Sequence, residues 1–142
     1  MPEIIYKDES YAIIGACFAV YKENGCGYHE PVYHESLGIE FGLVSIPAIS
    51  KPQLELEYKG HKLQVGFEPD YVCYGRIIVE LKAVDAINDN HRAQTMNYVK
   101  AAKMRLGLLV NFGHHPQLQW ERIVASDKWK PPTGNAPADL QA

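Results

Sequence analysis

Asp70-Tyr71-Val72-Cys73-Tyr74-Gly75-Arg76-Ile77-Ile78-Val79-Glu80-Leu81-Lys82 is the stretch on which the fold turns. Its second half, Ile77 to Lys82, is rich in β-branched residues and reads as a strand. Side chains alternate along a strand, so Glu80 and Lys82 share one face with Ile78, while Ile77, Val79 and Leu81 face a packed layer. Charges in so apolar a strand need a reason, because burying an unpaired charge is costly. Asp70 to Cys73 reads as the partner strand, with Tyr74-Gly75-Arg76 as the turn. A turn of odd length pairs Cys73 with Ile77, and counting back places Asp70 opposite Glu80. Cross-strand partners share a face, with Cβ atoms about 4.5–5.5 Å apart. Two facing carboxylates repel each other, and a divalent cation between them removes that penalty. A two-residue turn would instead set Asp70 opposite Leu81, unless a bulge restored the pairing.

The residue types suit such a cation. A few hard oxygen ligands, with positions left open for water and phosphate, fit Mg²⁺ or Mn²⁺. A lysine beside them can orient a water or stabilise a charged transition state. The ordinary alternative is that Asp70, Glu80 and Lys82 are strand-end charges on an exposed face. The D-x(9)-E-x-K spacing alone does not separate the two, since short patterns match by chance.

Working outward, Ser10 to Asn24 reads as a helix in which Ile13, Ile14, Cys17, Phe18 and Tyr21 recur at helical spacing, stopped by Gly25-Cys26-Gly27. A second helix is expected from Glu30 to Phe41. Pro31 suits its first turn, Val32, Tyr33, Leu37 and Phe41 form its apolar side, and Gly42 ends it. Gln53 to Tyr58 alternates as a strand with one buried face, Lys59-Gly60 turns, and His61 to Phe67 is its partner. Asn88-Asp89-Asn90 offers caps for a helix from His91 to Ala102. Leu106 to Phe112 is an apolar run suited to a buried strand, and Leu118 to Ile123 an edge strand. The order implies an α/β (α+β) domain with a central mixed sheet of four to five strands flanked by helices. One domain over residues 1–130 is expected, followed by a loose Pro/Ala/Gly-rich tail over 131–142.

Composition narrows the function. The chain has 142 residues and a formal net charge of -3, so nothing global draws it to nucleic acid, and phosphate binding must be local or metal-assisted. Three cysteines with no CxxC pair argue against a disulfide framework or a structural zinc site and favour a reducing, cytoplasmic setting. No signal peptide or membrane span is read, and no Walker or dinucleotide loop, so no nucleotide cofactor is expected.

Further motifs agree in order. Gly27-Tyr28-His29-Glu30-Pro31-Val32-Tyr33 spells G-x-x-E-x-x-Y, followed by Pro69-Asp70, Glu80-Leu81-Lys82, Gln94-x-x-Asn97-Tyr98 and Leu106 to Gly113. Over about residues 10 to 124 the chain resembles the GxxExxY family of the PD-(D/E)xK nuclease superfamily. The resemblance implies a restriction-endonuclease-like core and a Mg²⁺- or Mn²⁺-dependent nuclease acting on DNA. Asp70 and Glu80 would be metal ligands, joined by the backbone carbonyl of Leu81, and Lys82 the catalytic lysine. Glu30 matches a helix carboxylate that helps at the metal or its water, with Pro31 a departure that affects its aim. Gln94 and Tyr98, one helical turn apart, match a pattern that supports the site or contacts DNA. Each has an ordinary reading beside it: Glu30 as a dipole-favoured helix start, Tyr33 as a packed aromatic, Gln94 and Tyr98 as a helix face, His91 as a surface histidine. The competing function is a non-catalytic nucleic-acid-binding or regulatory module on the same fold. A homodimer would serve an enzyme that cuts both strands.

Overall fold

The computed structural model describes residues 4–125. The tail expected over 131–142, and the end of the domain drawn at 130, lie outside the described residues.

Helix α1 (Lys7–Asn24) starts one turn earlier than expected, with Asp8 and Glu9 in its first turn, where the helix dipole favours anions. It buries Ser10, Ile13, Ile14, Ala16, Cys17 and Val20. Phe18 is 46% exposed: the buried arc is centred on Ile13, Cys17 and Val20, and Phe18 falls beyond its edge. Helix α2 (Glu30–Leu43) buries Tyr33, Leu37 and Phe41, whereas Val32 stands exposed. Gly42 does not end it. The left-handed position belongs to Ser45 (φ 60°), and Ile46 N–H bonds the Phe41 carbonyl at 2.9 Å while Ser45 N–H bonds that of Gly42 at 3.3 Å, a Schellman closure without glycine.

The central sheet has five strands, β1 (Ala48–Ser50), β4 (Tyr71–Cys73), β5 (Ile77–Lys82), β6 (Leu106–Asn111) and β7 (Gln119–Val124), in the order β1-β4-β5-β6-β7. Only β5 and β6 run parallel, joined across one face by α3 (Asp89–Ala101); the other pairs are antiparallel. The sheet is mixed and flanked by helices, as the order of elements implies. Its membership differs from expectation. The alternating segments β2 (Leu54–Tyr58) and β3 (His61–Phe67) pair only with each other, as a separate ribbon, and β1 takes a place at the sheet edge. No residue of β2 is fully buried, and Phe67 is the one such residue of β3.

Alternation on β5 divides the core. Ile77, Val79 and Leu81 pack with α1 and α2, together with Leu106, Leu108 and Val110 of β6. Ile78 faces the other side, with Val72 and Val99. There α3 comes down on Gly107, where a Cβ would meet the methyls of Val99 and Thr95 at 2.8 and 2.9 Å, so the close approach requires glycine. A capping box between Asn88 and His91 sets the start of α3 and hence the angular position of Gln94 and Tyr98. No helix of the described chain is long and apolar enough to cross a membrane.

Candidate functional site

The turn after β4 has the odd length that the site requires. Tyr74 (φ 56°) and Gly75 (φ 66°) take left-handed conformations, Arg76 N–H closes on the Cys73 carbonyl at 3.0 Å, and Cys73 pairs with Ile77. The register continues through Val72–Ile78 and Tyr71–Val79, which brings Asp70 opposite Glu80. The two residues are tied crosswise. Asp70 N–H donates to Glu80 Oε1 at 2.9 Å, and Leu81 N–H donates to Asp70 Oδ2 at 2.9 Å. A further bond, from Lys51 N–H to the Asp70 carbonyl at 2.9 Å, holds the Asp70 backbone against the end of β1.

Glu80 is 5% exposed. Burial first, and the Asp70 charge second, push its carboxyl up to about 8, against the opposing pull of the Asp70 amide and Lys82. A carboxylate pair so placed favours either a proton or a cation. Lys82 projects from the same face of β5, and its ammonium donates to Gln94 Oε1 at 3.2 Å. Gln94 Nε2 donates in turn to Tyr98 Oη at 3.3 Å. Tyr98 stacks on Phe67 with centroids 4.9 Å apart, which joins the ribbon to the site. Its phenol is pushed up by burial and by the charges of Glu80 and Asp70, whose field it feels.

Glu30 is the first residue of α2, near enough to Lys82, Asp70 and His34 to feel their charges. Its carboxyl is raised by burial, with Lys82 and His34 pulling it down and Asp70 pushing it up. The residues around it explain the G-x-x-E-x-x-Y spacing. Gly27 adopts φ 115°, which favours glycine. Tyr33, fully buried and stacked on Phe112 at 4.7 Å, donates its hydroxyl to the Gly25 carbonyl at 2.5 Å and accepts Tyr28 N–H at 3.2 Å. Tyr33 is thus a packed aromatic that pins the loop presenting Glu30. Pro31 sits within the first turn of α2.

Asp70, Glu80, Lys82, Gln94, Tyr98 and Glu30 therefore surround one end of β5. His91 serves its own helix instead, its Nδ1 accepting Asn88 N–H at 3.1 Å. Two residues were missed from the sequence. His34 Nδ1 lies 3.1 Å from Asp70 Oδ1, and it is one turn beyond Glu30 on α2, a spacing that could have pointed to it. Asn111, fully buried at the end of β6, accepts the N–H groups of Val84 and Gly113 at 3.0 Å each and so shapes the loop leaving Lys82.

For a divalent cation the donor set is small. Among the described residues no group of three or more His, Cys, Asp or Glu side chains is arranged to hold a metal. Two adjacent carboxylates, one buried and raised in pKa, nevertheless fit Mg²⁺ or Mn²⁺, which keep waters and substrate oxygens in most of their positions.

Comparison with known proteins identifies the family of the chain. The model of the PD-(D/E)XK nuclease superfamily matches residues 7–123. The chain belongs to that superfamily. Among solved structures it is similar to the one described as the crystal structure of SSO0001, with a TM-score of 0.52 and 17% identity. The match covers 66% of this chain and 49% of that one, so this chain spans about half of it, and the likeness is one of fold. No curated protein matches.

Proposed function

We propose that this protein is a divalent-metal-dependent nuclease acting on DNA, of the GxxExxY type, with Asp70, Glu80 and the Leu81 carbonyl as the ligands of Mg²⁺ or Mn²⁺. The observation that carries the proposal is the crosswise Asp70–Glu80 pairing with Lys82 on the same strand face. When bound, the cation would lower the pKa of a coordinated water and neutralise charge on a phosphate oxygen. The chain's own groups do the rest. Asp70 and Glu80 are held before any ligand arrives, so little ordering remains to be done at binding. Lys82, bonded to Gln94, which is bonded in turn to Tyr98, would stabilise the negative charge that the phosphate gains. Glu30, its carboxyl raised, accepts the proton of the attacking water. The Gly27 and Tyr33 geometry supports the GxxExxY assignment, and the three free thiols, Cys17, Cys26 and Cys73, suit the cytoplasm. A homodimer would place two such sites on opposite strands of a duplex.

Cleavage of single- and double-stranded DNA with Mg²⁺ or Mn²⁺ tests this. Wild type should cut, Asp70→Asn should not, and Lys82→Ala should cut about 10²–10³-fold more slowly; cleavage at the wild-type rate in both variants rejects the site. The second reading is a non-catalytic nucleic-acid-binding or regulatory module. It draws on the lack, among the described residues, of a three-side-chain metal cluster. Calorimetric titration with Mn²⁺ separates the two, because only the nuclease requires saturable binding.

A further inference from the structure

The His34 ring is held by three side chains: Asp70, Ser50 and Tyr71. Its Nδ1 meets Asp70 Oδ1 at 3.1 Å, and its Nε2 meets Ser50 Oγ at 2.8 Å. The imidazole stacks on the Tyr71 ring, centroids 4.4 Å apart and planes 14° from parallel. Tyr71 Oη donates to the His34 carbonyl at 2.7 Å, and its hydroxyl fits only because Gly38 has no Cβ. The side chains of His34 and Asp70 are 13% and 18% exposed, so the contact is largely shielded from water.

The hydrogen-bond roles follow from the partners. A carboxylate only accepts, so Nδ1 donates to Asp70. Nε2 shares the second bond with the Ser50 hydroxyl, a group that can donate or accept. One chain of bonds thus runs from β1 through α2 to Asp70. The other oxygen of Asp70 is taken by Leu81 N–H. With both oxygens directed, the carboxylate plane has little freedom to rotate.

We propose that His34, tethered by Ser50, is a positioning residue that fixes the Asp70 carboxylate in its ligating orientation. It acts through Asp70 and does not itself bind the cation. The consequence for metal affinity rests on the reading of Asp70 as a ligand, but the orientation itself does not. Partners of this kind, one bond removed from the metal, typically contribute about 10–100-fold in affinity.

The test uses the full chain and four variants: His34→Ala, His34→Asn, His34→Gln and Ser50→Ala. The side-chain amide of Asn can stand where Nδ1 stands, and that of Gln nearer Nε2. Two readouts are taken. One is the Leu81 amide proton in metal-free protein by NMR, shifted downfield by its bond to Asp70. The other is Mn²⁺ affinity and electron spin-echo modulation. Expected are loss of the Leu81 shift and about 10–100-fold weaker Mn²⁺ binding in His34→Ala and His34→Gln, a smaller loss in Ser50→Ala, and recovery in His34→Asn. No histidine nitrogen should couple to Mn²⁺ in wild type. An unchanged Leu81 amide in His34→Ala, equal behaviour of the Asn and Gln variants, or nitrogen coupling from His34 would each overturn the proposal. If wild type takes up no Mn²⁺, the nuclease reading fails, and the Leu81 amide alone still decides whether His34 orients Asp70.

Discussion

The backbone amide of Asp70 donates to the carboxyl of Glu80 at 2.9 Å, so the residue that repels Glu80 through its side chain also anchors it through its main chain. This arrangement keeps two acidic groups together in a nearly dry place, and it has consequences for stability that can be measured without any substrate.

In metal-free protein, stability should fall as pH rises across neutrality. The Glu80 carboxyl sits at about 8 in the folded chain against an ordinary 4.5, so between those values the folded state holds a proton that the unfolded state has lost. The stabilisation is complete below about 4.5 and is lost as pH rises through 8, because stability falls wherever the unfolded state binds fewer protons. Glu80→Gln keeps an oxygen for Asp70 N–H and removes the charge. It should flatten this pH dependence and raise Tm at pH 9 by about 2–5 °C, while abolishing cleavage. Thermal melts from pH 5 to 9, with and without Mn²⁺, check both statements; wild-type melts should rise most with Mn²⁺ at the alkaline end.

Removing the ammonium of Lys82 should separate binding from chemistry. Lys82→Ala should lower kcat by about 10²–10³-fold with Mn²⁺ affinity retained, the loss expected of one charge-stabilising donor. Gln94→Ala frees the lysine without removing it and should cost less than Lys82→Ala, at most about 10²-fold for a misplaced but surviving group. Steady-state kinetics on both variants, with kcat and KM resolved, measures the split.

Tyr33→Phe should weaken the loop that presents Glu30. The hydroxyl bonds the Gly25 carbonyl and the Tyr28 amide, both in a part-exposed loop, and losing it should cost about 0.5–1.5 kcal/mol. Urea unfolding gives the cost, and hydrogen exchange at Tyr28 N–H should accelerate.

The thiols should differ in reactivity. Cys17 and Cys73 are buried, and burial pushes both thiols up, Cys73 to about 12, whereas Cys26 is exposed. Native protein titrated with a thiol reagent at pH 8 should yield one fast equivalent, at Cys26, and the other two only on unfolding.

Strand β5 was legible because its apolar, β-branched run leaves no other place for Glu80 and Lys82 than a shared face. For the hairpin the sequence set only a condition, an odd turn or a bulge that brings Asp70 opposite Glu80, and the turn over 74–76 meets it. What escaped was set by tertiary partners. Three residues, Ala48–Ser50, are too few to show alternation, so β1 was not seen, and with it went the Ser50 contact to His34. The alternation of β2 predicts a half-buried face but not the body it packs against, and here Leu54 joins a cluster built from Val72 and Ile78 of the sheet and Val99 and Tyr98 of α3. Val32 and Phe18 are as apolar as their buried neighbours, and only the arc each helix presents decides their exposure. Helical spacing from Glu30 could have pointed to His34, but its bond to Asp70 joins elements far apart in the chain and is visible only in the fold.

Whether Asp70 and Glu80 together hold a divalent cation is tested most directly by a crystal soaked in Mn²⁺ and measured at the manganese absorption edge. An anomalous peak about 2–2.3 Å from carboxylate oxygens of both residues, with the Leu81 carbonyl in reach, is the expected result. No peak at saturating Mn²⁺, or a peak that touches neither carboxylate, would contradict it.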